Sequence, residues 1–170
     1  MSEPICTVMV GLPAAGKSTR VGALTAVNPE LFVYSTDNHI EQCAKQNGWT
    51  YDQAFAEFIE SATKYMNEQL EIAVRSRQDI IWDQTNLGAK KRAKIVNRMR
   101  NAGYRVECEC ILFPAGDSQW EDWQHRMASR PGKTIPDSVI ESMMDSFVRP
   151  ALDEGFDTVR YYDMYGNLQQ

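Results

Sequence analysis

Ile5-Cys6-Thr7-Val8-Met9-Val10-Gly11-Leu12-Pro13-Ala14-Ala15-Gly16-Lys17-Ser18-Thr19 decides the fold. Its first six residues are apolar and rich in β-branched side chains, which reads as a short buried strand. Gly11 ends that strand, and residues 11–18 match G-x-x-x-x-G-K-[ST] at every fixed position. A helix follows from about Lys17 to Val27 and stops at Asn28-Pro29. Strand, glycine-rich turn and helix, in that order, are the context that turns a pattern match into a phosphate-cradling loop. Gly11 and Gly16 allow backbone angles and close approaches that a side chain would block. The loop amides and the helix N-terminus then point at an anion, which the helix dipole also favours. In such a loop Lys17 reaches the β- and γ-phosphates of a nucleotide and Ser18 ligates Mg²⁺.

Working outward, strands and helices alternate to the end of the chain. Leu31–Ser35 reads as a second strand and Asp37 to Gln46 as a short helix broken by Asn47-Gly48. From Asp52 to Arg77, Phe55, Phe58, Ile59, Ala62, Met66, Leu70 and Ala73 keep the spacing of a long amphipathic helix. Asp79–Asp83 is a third strand, Leu87–Ala102 a helix, and Arg105–Phe113 a fourth strand. Helices are expected over Ser118–Arg130 and Asp137–Phe147, then a last strand at Thr158–Tyr162, with polar Gly166–Gln170 loose. This order predicts an α/β fold: a parallel sheet of about five strands, helices on both faces, and a helical lid around 126–136. Residues 1–170 read as one domain, without repeats or a linker.

The composition is that of an ordinary globular chain: 43% hydrophobic, 24% charged and 10% aromatic. That excludes disordered, collagen-like and coiled-coil classes. No apolar run approaches a membrane span, and the N-terminus lacks the features of a secretion signal, so a cytoplasmic protein is expected. Cys6, Cys43, Cys108 and Cys110, with His39 and His125, make no metal-ligand pattern and read as reduced thiols. Charge is unevenly spread. The net charge is −5, yet Lys90, Lys91, Arg92, Lys94, Arg98, Arg100 and Arg105 give a +7 stretch without Asp or Glu, leaving −12 elsewhere. Such a helix is either an anion-binding face or a solvated surface balanced by acidic neighbours, and charge alone favours the second.

Ligands of parallel sheets gather beyond the carboxyl ends of the strands. Asp37, in Ser35-Thr36-Asp37-Asn38, follows the second strand and is placed either to take the proton of an attacking hydroxyl or to cap the next helix. Asp83, in Asp83-Gln84-Thr85-Asn86, ends the third strand, where a carboxylate holds a metal through water or positions an acceptor. Thr85 and Asn86 also suit a helix cap. Arg126, Arg130 and Lys133 flank the Pro131-Gly132 break, the kind of hinged segment that closes over a nucleotide. An arginine there neutralises the transferring phosphoryl; a solvated helix end is the plain alternative.

This combination resembles the polynucleotide kinase family, the 5′-hydroxyl kinases whose type is a bacteriophage enzyme. The resembling residues are Gly11–Ser18, Ser35-Thr36-Asp37, Asp83-Gln84-Thr85-Asn86 ahead of a basic helix, Arg126-x-x-x-Arg130-x-x-Lys133-x-x-Pro136, and Pro150–Asp157. The resemblance implies Asp37 as general base, Lys17 and Ser18 on phosphate and metal, Asp83 at the acceptor, and Arg130 as the lid arginine on ATP. It gives catalytic Asp37, Lys17 and Arg130, with nucleotide contacts from Gly11, Pro13, Ala14, Ala15, Gly16, Lys17, Ser18, Thr19, Arg126 and Arg130. Ser18 and Asp83 are the metal candidates; Asp37, Asp83, Thr85, Asn86 and Lys90 are the acceptor candidates. Two positions depart: Ile40 stands where the type enzyme grips the acceptor's 3′-phosphate with arginine, and Gln84 interrupts an Asp-Thr-Asn run.

The expectation is an ATP- and Mg²⁺-dependent kinase acting on a hydroxyl of nucleic acid, foremost a 5′ end, in a bacterial or phage-infected cytoplasm and with no stable protein partner. Alternatives are a kinase of 5-hydroxymethyluracil within phage DNA, a small-molecule or nucleoside kinase, and a P-loop switch without an acceptor. Asp37 argues against the last, because a hydrolytic switch more often positions water with glutamine.

Overall fold

The computed structural model describes residues 2–170. Six strands form one sheet in the order β2-β3-β1-β4-β5-β6. They are β1 (Ile5–Val10), β2 (Phe32–Tyr34), β3 (Ile80–Trp82), β4 (Arg105–Ile111), β5 (Thr158–Tyr162) and β6 (Leu168–Gln169). The first five are parallel; β6 runs antiparallel to β5, pairing Tyr162 with Leu168 and Tyr161 with Gln169. The fold is therefore the expected α/β P-loop kinase fold with one strand more. The sixth strand falls in the tail read as loose. Its Asp163–Asn167 turn, with Asp163 accepting from the amides of Tyr165 and Asn167, folds a polar segment back onto the sheet edge.

The central strand β1 faces both ways. Cys6, Val8 and Val10 join the main core with Val106, Cys108 and Cys110 of β4 and with Leu70, Ile95 and Met99. Met9 points the other way, onto Val21 and Ile81. Helices α1 (Lys17–Val27), α3 (Tyr51–Arg75) and α4 (Ala89–Asn101) supply helical partners, and α5 (Gly116–Ala128) and α6 (Asp137–Ser146) add Trp123 and Ile140 to the main core. Helix α2 (Thr36–Asn47) packs on α3 through a small core of its own: Ile40, Ala44, Ala54 and Ala62. Among the described residues no helix is long and apolar enough to cross a membrane. Cys6, Cys108 and Cys110 are buried, and burial drives the Cys6 and Cys110 thiols up to about 12, so they stay protonated.

The basic stretch is neither a bare anion-binding face nor a wholly solvated one. Arg92 is fully buried and spends all five guanidinium donors. It donates twice to Glu154, at 2.8 and 3.1 Å, and to the carbonyls of Asn86, Leu87 and Val148. Arg98 pairs with Glu71, Arg100 with Asp157 and Arg105 with Glu107. Lys90, Lys91 and Lys94 remain without carboxylate partners among the described residues.

Two ion pairs of this stretch make a stability test. The Arg92 side chain is 0% exposed and that of Glu154 15%, so Glu154→Ala strands a buried charge and is expected to cost about 3 kcal/mol. Glu71→Ala breaks a surface pair and is expected to cost under about 1 kcal/mol. Urea denaturation of the two variants checks the difference; equal midpoints refute it.

Candidate active site

The loop between β1 and α1 is built for an anion. Ala14 and Gly16 both take left-handed backbone angles, φ 59° and 115°, within the one turn, the kind of alternation that gathers successive amides into an anion-binding nest. Gly16 is the N-cap of α1 and no side chain satisfies the first amides. Below the loop, Leu12 and Ala15 are buried at 1% and 2% exposure. Gly11 passes close to β4: a Cβ there would stand a tight 3.2 Å from Ile111 Cβ. Lys17 Nζ donates to the carbonyls of Gly11 and Leu12, at 2.8 and 2.9 Å. Pro13, Ala14, Gly16, Lys17, Ser18 and Thr19 line one wall of a cleft of about 840 Å³.

Asp37, Asp83, Gln84 and Thr85 line the same cleft. Ser35, not Asp37, caps α2: its hydroxyl accepts from the Asn38 amide at 3.2 Å. Asp37 stands in the first turn, not used as the cap, with its side chain 57% exposed. Asp83 is fixed by its amide, which donates to the Tyr34 carbonyl at 2.9 Å. Burial pushes the Asp83 carboxyl above the usual carboxylate range and the Asp37 charge adds to this, while Lys17 and Lys133 oppose it. Burial likewise lowers the Lys17 ammonium, to about 8, against the attraction of Asp83 and Asp37; Arg130 and Lys133 lower it further.

Two expected acceptor residues do not line the cleft. Asn86 is fully buried, and its amide donates to the carbonyl of Met9 at 2.8 Å. Left-handed at φ 47°, it ties the segment after β3 to β1, a structural duty. Lys90, in the first turn of α4, stands outside the lining residues. Gly11 and Ala15 support the loop from behind rather than lining the cleft.

The third wall comes from α5 and the segment after it. Arg126 and Arg130 both line the cleft. Arg126 donates to the Ala15 carbonyl at 3.3 Å and lies 5.8 Å from the Tyr165 ring centre. Trp123, 6% exposed, donates to the Pro13 carbonyl at 2.9 Å and so docks α5 on the loop. The sequence reading missed Trp123; its only signal is its place three residues before Arg126, on the same helix face. It also missed Tyr51, whose hydroxyl donates to Asp37 Oδ1 at 2.5 Å, and the Tyr162–Gly166 turn that completes the cleft. Lys133 Nζ stands 3.0 Å from Glu41 and 3.6 Å from Asp37.

A phosphate nest with its lysine, two carboxylates on the same cleft and arginines from a docked helical segment define a kinase-like P-loop protein. The chain belongs to the AAA domain family (AAA_33), whose model matches residues 7–150. Among solved structures it is similar to a provisionally assigned kinase from Chloroflexus aurantiacus, with TM-score 0.67, 20% identity, and coverage of 95% of this chain and 89% of that one. It is similar to a structure from the PezAT chromosomal toxin–antitoxin system of Streptococcus pneumoniae, with TM-score 0.66, 13% identity, and coverage of 100% and 71%. It is also similar to a fungal RNA kinase, with TM-score 0.57, 12% identity, and coverage of 96% and 76%. At these identities the shared property is the fold.

The donor set suits a magnesium nucleotide. Ser18 and Asp83 offer hard oxygen atoms on the same cleft, and among the described residues no group of three or more His, Cys, Asp or Glu forms a metal cage. Mg²⁺ held by one or two side chains, phosphate oxygens and water is the arrangement such a donor set serves.

The lowered Lys17 gives the cleft a pH dependence. Above about pH 8 the free lysine is neutral and must regain a proton to pair with phosphate. Affinity for a non-hydrolysable ATP analogue is therefore expected to fall as pH rises through 8. Lys17→Met is expected to bind weakly with no such slope. Calorimetric titration from pH 7 to 9.5 checks this, and a parallel slope in the variant refutes it.

Proposed function

We propose that this protein is an ATP- and Mg²⁺-dependent kinase that phosphorylates a hydroxyl group of nucleic acid, foremost the 5′-hydroxyl of DNA or RNA. The observation that carries the reading is the Asp37 carboxylate, relieved of capping by Ser35 and sharing a cleft with Lys17. In the proposed reaction Asp37 accepts the proton of the acceptor hydroxyl as its oxygen bonds to the γ-phosphorus. The bond from that phosphorus to the β–γ bridging oxygen breaks, and ADP leaves with the electron pair. Lys17, Arg126 and Arg130 carry positive charge to the transferring group. Ser18 and Asp83 would hold Mg²⁺, which neutralises phosphate charge.

Nucleic acid as acceptor is supported by the sequence resemblance and by the fold shared with a fungal RNA kinase. The three lysines left unpaired on α4 are the part of the basic stretch available to a phosphate backbone. Binding through them implies an acceptor KM that rises with salt.

A second reading keeps the chemistry and changes the acceptor to 5-hydroxymethyluracil within DNA. It is favoured by Ile40, at 0% exposure inside the α2–α3 core. The position that the resembling family uses for the acceptor's 3′-phosphate is here a packing residue. An acceptor whose hydroxyl sits on a base has no need of that grip, though it must leave the stack to react.

Transfer from labelled ATP is to be measured with a 5′-hydroxyl oligonucleotide, a 5′-phosphorylated duplex containing 5-hydroxymethyluracil, and a nucleoside panel. Label on the first supports the leading reading, label on the second alone supports the other, and label only on nucleosides overturns both. Asp37→Asn is expected to lower kcat by about 10²- to 10⁴-fold with little change in ATP affinity. Collapse of ATP binding with a high residual rate would move Asp37 from base to metal site.

A further inference from the structure

The Asp37 carboxylate is gripped from outside its own helix. Tyr51, the first residue of α3, donates to Oδ1 at 2.5 Å. Lys133 stands 3.6 Å from Oδ2 and 4.2 Å from the Tyr51 ring centre. Position 51 is held on both sides. Before and after it, a reciprocal capping box joins Thr50 and Gln53, with bonds of 3.2 and 2.9 Å. From the lid segment, Gly132 accepts from the Asp52 amide at 3.1 Å, and Thr134 donates its hydroxyl to the Asp52 carboxylate at 2.8 Å. Gly132 presses so close that a Cβ there would lie 2.8 Å from Thr50 Cβ. Burial, and the bond to Asp37, keep the Tyr51 phenol protonated well above its ordinary range, so it is a permanent donor.

We propose that Tyr51 is a positioning residue for phosphoryl transfer: its hydroxyl fixes one oxygen of Asp37 so that the other faces the acceptor hydroxyl. This rests on the reading of Asp37 as the base. Ser35 orders only the backbone of α2, and an aspartate more than half exposed turns freely about its terminal torsion. A base works only within hydrogen-bond reach of the proton it takes, so free rotation dilutes the productive geometry. Lys133 cannot supply the orientation, because a contact of 3.6 Å acts as charge and not as a directed bond. A hydrogen bond from a neutral hydroxyl to a carboxylate is short and directional, and Tyr51 supplies it.

Tyr51→Phe removes the hydroxyl and keeps the ring under Lys133 and beside Phe55. With a 5′-hydroxyl oligonucleotide and, in parallel, 5-hydroxymethyluracil DNA, kcat is expected to fall about tenfold, the low end for a hydrogen bond to a charged group. KM for ATP and the melting temperature are expected to stay at their parent values. In an Asp37→Asn background the same change is expected to cost nothing further, because the two residues act as a unit. An unchanged kcat in Tyr51→Phe, an equal loss in the Asp37→Asn background, or a loss matched by a rise in ATP KM overturns the proposal while leaving Asp37 as base. A full rate in Asp37→Asn alone defeats the base reading itself, and this proposal with it.

Discussion

One backbone hydrogen bond sets the spacing of the cleft. The amide of Gly11, where the phosphate loop begins, donates to the carbonyl of Thr85, in the segment that follows β3, at 3.0 Å. Beside it the buried Asn86 amide holds the Met9 carbonyl. Together they fasten the loop carrying Lys17 to the loop carrying Asp83, so the two charged groups are opposed by the backbone and not by their own attraction. Behind them Arg92 accepts no compromise. Its guanidinium holds the carbonyls of Asn86 and Leu87 on one side and Glu154 on the other. Burying that charge is tolerable only because every donor is matched. A residue that in sequence belongs to a basic, surface-like stretch thus anchors the scaffold of the cleft from within.

The electrostatic consequence is visible at Lys17 and Asp83. Burial pushes the lysine down and the carboxyl up, each toward its neutral form, while the partner's charge pulls the other way. Neither group is relieved by the fold alone. A polyphosphate with its metal would bring the missing charges: anionic oxygens for Lys17 and a cation for Asp83. On the proposed reading, a bound magnesium nucleotide would favour the charged forms of both side chains.

The parts of this architecture that were legible in the sequence are those fixed by local pattern. The β1–loop–α1 unit was readable because glycine spacing, lysine and flanking apolar periodicity occur within a few residues. The long amphipathic α3 and the buried β4 announce themselves in the same way. The assignment of Ser35 rather than Asp37 as cap turns on a single bond donated by the Asn38 amide to the Ser35 hydroxyl, which spacing cannot choose. Asn86 and Arg92 were misjudged because composition predicts exposure for their types, while their partners, Met9 and Glu154, lie 77 and 62 residues away. β6 was missed because two polar-flanked residues carry no periodicity and owe their pairing to the preceding turn. Tyr51 lies 14 residues from Asp37 along the chain, across a helix and a turn, and nothing local reveals that their side chains meet.

These non-local contacts also decide what can move with what. In a kinase the lid serves the nucleotide and the acceptor-side helices serve the second substrate, and the two motions need not be linked. Here the segment after α5 is bonded to the start of α3 through Asp52, while the same lid brings Arg126 against the phosphate loop and Arg130 into the cleft. Tyr51 and Lys133 both reach Asp37 from that junction. Arg126, Arg130 and Lys133 therefore reach the cleft from one stretch of chain, and that stretch also holds Asp52, the neighbour of Tyr51. On the proposed reading, the charge offered to the phosphoryl group and the orientation of Asp37 both depend on contacts made by this one stretch.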